Sequence, residues 1–125
     1  MTLPPRTNWG KKGRDGRLRS PRHIEFVRQH QCILHTSGKC WGKIQVCHAR
    51  DVAPRGHGGG KPDDTFTFSA CQHHHRESEK REEEFGRHHG IDVLAICIEF
   101  AEASPDAAIR AAARNFKAAH GRAAE

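Results

Sequence analysis

The stretch Cys71-Gln72-His73-His74-His75-Arg76-Glu77-Ser78-Glu79 packs thiol, imidazole and carboxylate donors into nine residues of a 125-residue chain. On a helix, His75 and Glu79 are four apart and project from one face, one turn above the other. Cys71 and His74, three apart, can share a different site where that helix begins. The expectation is therefore two metal sites. One holds the fold, and the other is placed to hydrolyse a phosphodiester.

For the structural site, Cys32 and Cys40 flank a short knuckle in which Gly38 permits the turn. With Cys71 and His74 they complete a tetrahedral sulfur and nitrogen set suited to Zn2+, two close pairs separated by a long loop. Closing that loop through a metal removes much unfolded-chain entropy. Cys32-x-x-His35 is also a workable pair, so His35 is the alternative to Cys40, and a set of reduced buried thiols is the plainer reading. For the second site, Cys47-His48 closes a strand, and a glycine-rich loop and a further strand return the chain to the helix bearing His75 and Glu79. That order sets His48 opposite His75 across a small cleft. A neutral imidazole can take a proton from water near pH 7. A divalent cation held by His75 with Glu79 or Cys47 can polarise a scissile phosphate.

The elements that position these groups are short. Residues 1–19, with Lys11, Lys12 and Arg14 among glycines, read as a flexible basic arm. Ser20-Pro21 reads as an N-cap followed by proline at the first helical position, opening a helix that ends near His30. Trp41 to Val46 alternates as a strand, Arg50 to Lys61 is a loop, and Thr65 to Phe68 is a strand with Phe66 and Phe68 on one face. The helix opened by Cys71 is expected to run through Phe85 and stop near Gly90. Glu77/Arg81 and Lys80/Glu84 are then helpful pairs on it, and the charged run at 76–84 is a solvated face apart from Glu79. Leu94, Cys97, Ile98 and Ala101 mark a further helix. Ser104-Pro105-Asp106 repeats the cap-plus-proline start, and Ile109, Ala112, Ala113 and Phe116 form one apolar stripe. The division expected is an arm at 1–19, a domain at 20–103 and a C-terminal helix at 104–125 packed on the core.

Composition agrees with a metal-stapled domain. Only 35% of residues are hydrophobic and Tyr is absent, so a core this lean gains from a structural metal. Five Cys, an odd number, beside eleven His argue against a secreted disulfide framework and for zinc in a reducing, cytoplasmic setting. No run is long enough for a membrane span. The net charge of +6 suits a polyanion. Arg50, Arg55 and Lys61 in the loop are placed to hold backbone phosphates, with the arm as a further contact, and nothing resembles a base-reading helix.

Taken together, Cys32…Cys40-x-Gly42, Cys47-His48, Gly58-Gly59-Gly60-Lys61-Pro62-x-Asp64 and Cys71-x-x-His74-His75-x-Glu77 resemble the HNH, or ββα-metal (His-Me finger), endonucleases. The likeness is to small phage and prophage members such as the recombination-enhancement nucleases, and it covers roughly residues 21–92. It implies an α+β fold: a small zinc-stabilised ββα-metal core with a flanking N-terminal helix and C-terminal helices. By position, His48 matches the general base, His75 a ligand of the catalytic cation, and Cys32, Cys40, Cys71 and His74 the zinc knuckle. Asp64 lies near the central Asn of the family, which steadies the loop around the base. Cys47 and Glu79 depart from the pattern. The soft thiolate favours Zn2+ and the hard carboxylate Mg2+ or Mn2+, which leaves the working cation open.

The function expected is a metal-dependent DNA endonuclease of low sequence specificity, with a monomer slightly favoured. A non-catalytic zinc-finger DNA-binding protein is the alternative. A third reading is a partner protein working through its C-terminal helices, which deletion of residues 104–125 would separate from the others.

Overall fold

Ser20 starts the first helix as its residue type demands. In the computed structural model, which describes residues 10–13, 16–54 and 62–120, its hydroxyl accepts the His23 N–H at 3.0 Å. Pro21 opens helix α1 (Pro21–Arg28). Five helices and two small antiparallel sheets make up the described residues, an α+β arrangement.

The sheet that matters for the site pairs β3 (Ile44–His48) with β4 (Thr67–Cys71), His48 facing Thr67 and Ile44 facing Cys71. Cys71 both ends β4 and caps α2 (Gln72–Ser78), its sulfur accepting the His74 N–H. The chain therefore runs strand, loop, strand, helix. β1 (Lys11–Lys12) and β2 (Leu18–Arg19) make the second ribbon. α3 (Glu82–His89), α4 (Val93–Glu102) and α5 (Ala107–His120) follow.

Two apolar clusters hold these pieces. Cys47, Phe68, Ala70, Phe85, Val93 and Cys97 are buried together beneath the β3–β4 sheet. Leu18, Phe66, Ile98, Ala101, Ile109 and Ala113 form the other. α4 contributes to both and ties them. Phe68 is fully buried, and removal of such a side chain from water is worth about 1.5–3 kcal/mol. The stripe expected on α5 is found, with Ile109 and Ala113 buried and Ala112 and Phe116 packed beside them. Among the described residues, no helix is long and apolar enough to cross a membrane.

Four expectations need correction. The helix from Cys71 does not run to Gly90. It breaks at Glu79–Arg81, where Lys80 adopts a φ of 62°, a left-handed conformation that costs about 1–2 kcal/mol for a residue with a Cβ. The loop after β3 compensates: the Asp51 carboxylate accepts the N–H groups of Glu82 and Glu83, and Glu82 accepts those of Asp51 and Lys80. α3 thus begins on a cap supplied from a distant loop, which local helix propensity cannot foretell. The Glu77/Arg81 and Lys80/Glu84 spacings lose their meaning across the break. Glu77 instead meets His89 at 3.2 Å.

The second strand is Thr67–Cys71, not Thr65–Phe68. The Phe66 N–H bonds back to the Asp63 carbonyl in a turn, and Phe66 and Phe68 enter different clusters. The end of the basic arm next to α1 is also built in. Leu18 is 7% exposed, its N–H donates to Asp63 Oδ1 at 3.0 Å, and its carbonyl accepts the Asp64 N–H. Last, α5 starts at Ala107, because Asp106 Oδ1 takes the Ala108 N–H at 2.9 Å. Ser104 and Asp106 are buried against α1, bonding His23 and Ser20. Ser104 and Asp106, with Ile109 and Ala113 on α5, are therefore part of the core.

Candidate metal centre and cleft

Cys32 follows α1, and a single 3₁₀ turn (His35–Ser37) closed by Gly38 in the left-handed conformation leads to Cys40. Gly42, at φ +85°, brings the knuckle against α2. A Cβ there would stand 2.5 Å from the Gln72 side chain, so only glycine allows the approach. The Trp41 carbonyl accepts the His73 N–H, fastening the knuckle to the first turn of α2.

The consequence is a single point surrounded by four donors. His74 Nδ1 lies 3.3 Å from Cys32 Sγ, 3.6 Å from Cys40 Sγ and 3.3 Å from Cys71 Sγ. One ring nitrogen serves one hydrogen, so three sulfurs around it are not three hydrogen bonds. Tetrahedral zinc with Zn–S near 2.3 Å and Zn–N near 2.05 Å places sulfur and nitrogen about 3.5 Å apart. The four groups fit a metal such as zinc, and one donor from each lies within 4.8 Å of the others. Of the two partners open for this site, the structure brings in Cys40. His35 instead turns its Nδ1 to the Cys32 carbonyl.

Thiol chemistry points the same way. Loss of solvent around its sulfur, then the Cys71 and Cys32 thiols beside it, push Cys40 up to about 12. Burial also opposes ionisation of Cys71, but backbone N–H groups of His74 and Trp41 outweigh it and bring that thiol down. Burial holds His74 below its ordinary range, which favours the neutral imidazole a metal requires. Ionising three thiols so close together would need a cation between them.

The cleft lies on the other side of α2. His48, Arg50, His75, Glu79 and Glu82 open, with Cys47, on one cavity of about 160 Å³. His48 Nε2 is 2.8 Å from Asp64 Oδ1. If Nε2 carries the hydrogen that Asp64 accepts, Nδ1 is left basic. Asp64 is buried. Burial alone would raise its carboxyl, but hydrogen bonds from His48 and the Ser20 N–H prevail and lower it. Its other oxygen accepts that Ser20 N–H at 2.8 Å, and Ser20 Oγ donates to Asp106. A buried chain of hydrogen bonds thus runs from the cleft histidine to the start of α5. It ends at His23, which bonds Ser104 Oγ at 2.9 Å and which burial lowers to about 4.

His75 is oriented by Gln45, which accepts from its Nδ1 and so leaves Nε2 as the free donor atom, the usual arrangement for a histidine presented to a metal. Glu79 caps the C-terminus of α2 and is exposed.

Cys47 lies between the cleft and the core. It is 2% exposed and sits in the apolar cluster. Burial, reinforced by the Glu82 charge, pushes its thiol up. Cys47, His75 and Glu79 are not among the described groups whose donors converge within 4.8 Å.

The phosphate-contact residues divide. Arg50 lines the cleft, Lys11 and Lys12 are exposed on β1, and Arg14, Arg55 and Lys61 lie outside the described residues.

Three site features escape a reading of the sequence. Gln45 meets His75 from the facing strand. Glu82, assigned to a solvated face, is buried and raised to about 7 by burial and then by Asp51. Trp41 is 52% exposed with the Arg76 guanidinium 5.8 Å from its ring centre. Only the aromatic beside a zinc knuckle offered any local hint.

Comparison with protein-family models, with curated proteins and with solved structures found no match. What the fold and site define is a small α+β chain whose Cys3His group can hold a metal such as zinc.

Proposed function

We propose that the chain is a metal-dependent endonuclease that hydrolyses DNA phosphodiesters with low sequence specificity. The observation that carries this reading is that His48, at the end of β3, and His75, on α2, open on one cleft. Each is held by a partner of its own, Asp64 and Gln45. The strand–loop–strand–helix order supports an HNH-like core.

In this reading His48 Nδ1 takes a proton from water, whose oxygen attacks phosphorus as the bond to the leaving sugar oxygen breaks. Asp64 keeps the imidazole in the required tautomer and stabilises it once protonated. His75 and Glu79 are the residues that would hold the cation. A divalent cation there supplies polarisation of the phosphate and charge stabilisation on the leaving oxygen. Arg50, half-buried at the cleft wall, contacts a neighbouring phosphate.

The test is plasmid cleavage with added Mg2+, Mn2+ or Zn2+. Wild type nicks or linearises the plasmid, and His48→Ala does not while keeping its bound zinc. A second reading, a non-catalytic zinc-stabilised DNA-binding module, is favoured by the Cys3His group, which is complete without either cleft histidine. That reading expects salt-sensitive DNA retention and no strand breaks with any cation.

A further inference from the structure

The break between α2 and α3 folds the chain back on itself and brings a different set of donors together. Glu77 leaves the last turn of α2, and His88 and His89 close α3. One donor atom from each of the three lies within 4.8 Å of the others. His89 Nε2 and Glu77 Oε1 are 3.2 Å apart. Donors about 2.0–2.1 Å from a tetrahedral zinc stand about 3.4 Å from one another, so this pair already has the required separation. Glu77 and His88 are exposed. The His89 ring is packed at 4.7 Å from the Phe85 ring and 5.9 Å from that of His74, so one imidazole is positioned in advance.

We propose that Glu77, His88 and His89 form a second transition-metal site, with three protein donors and a fourth position open to water. The site shares no ligand with the Cys3His group or the cleft, and it stands whether or not the chain cuts DNA. Two imidazoles and one carboxylate select Zn2+, Co2+ or Ni2+ over Mg2+ and Ca2+. Its place in the fold gives it a consequence. It bridges α2 to α3 across the left-handed residue Lys80, and those two helices set His75, Glu79 and Glu82 on the cleft wall. Occupancy therefore fixes the hinge between them. His73 and His74 also lie near Glu77, but His74 Nδ1 faces the three thiols, so a site on that side competes with the structural one.

The experiment is a Co2+ titration, with a competing chromophoric chelator, of the full metal-free chain carrying His75→Ala, which removes the cation site proposed for the cleft. This parent binds two equivalents. The first brings the intense sulfur-to-cobalt absorption of the Cys3His group. The second is weaker and lacks that absorption, and millimolar Mg2+ does not displace it. In Glu77→Gln and in the His88→Ala/His89→Ala double variant the second equivalent falls at least tenfold in affinity, while the first and its sulfur band are unchanged, which shows that the variants fold. A single equivalent in that parent overturns the proposal, as does a second one that survives both variants. Loss of the second equivalent in His73→Ala with retention in His88→Ala/His89→Ala also overturns it and moves the ion to the other face of α2.

Discussion

The knuckle and the cleft use the same residue types to opposite ends. Around His74, four donors point at one another. Around His48 and His75, each imidazole is tied by one nitrogen to a different partner and the other nitrogen is left for a visitor. Convergent donors make a site that folding completes. Donors held apart make a site that a substrate or a second ion must complete. The two regions share α2, which gives His74 to the knuckle and the next residue, His75, to the cleft.

Breaking the knuckle should have the largest effect. Structural zinc in finger-like peptides contributes apparent energies of about 10–16 kcal/mol, and this lean core has no comparable reserve. Cys71→Ser, or treatment of wild type with a strong chelator, should therefore unfold the chain, read as loss of the cooperative thermal transition. Asp64→Asn comes next. It leaves the shape but weakens the hold on His48 and on the Ser20 N–H, so cleavage should fall about 10²-fold or more and stability by about 1–3 kcal/mol, read by plasmid nicking and urea denaturation. Gln45→Ala touches only the orientation of His75. The cation concentration for half-maximal cleavage should rise about tenfold with little change in the melting temperature.

The smallest effect concerns pH. Glu82 has its folded value raised from near 4.5 to about 7, by burial and then by Asp51. Between those values the folded state binds more protons than the unfolded one, so stability from this group is full below about 4.5 and lost as pH rises toward 7. Glu82→Gln should flatten that decline relative to wild type in melting curves across the interval. An unchanged slope would mean that Glu82 ionises freely.

The knuckle was the more legible region, because a metal site declares itself by residue type and spacing. Cys32, Cys71 and His74 needed only that, and the choice between Cys40 and His35 needed the turn at Gly38 to be built. Ser20-Pro21 and the stripe on α5 were likewise visible, being local in sequence. The cleft was half legible: His48, His75 and Glu79 stood out as reactive types, and Asp64 through a resemblance. What oriented them did not, because Gln45 reaches His75 across the strand–helix packing and Asp51 reaches α3 from a loop. The helix break, the burial of Glu82 and the docking of Leu18 share that cause. Each is decided by a hydrogen bond or an apolar contact between segments far apart in the chain, and no periodicity records such a contact.

The central claim is that the cleft does chemistry that the knuckle merely supports. The direct measurement is Mn2+-dependent plasmid nicking by zinc-loaded His48→Ala beside wild type, with bound zinc counted in both. The account predicts equal zinc and a melting temperature within about 2 °C, with cleavage lowered at least about 10²-fold. Equal zinc with undiminished cleavage would contradict it.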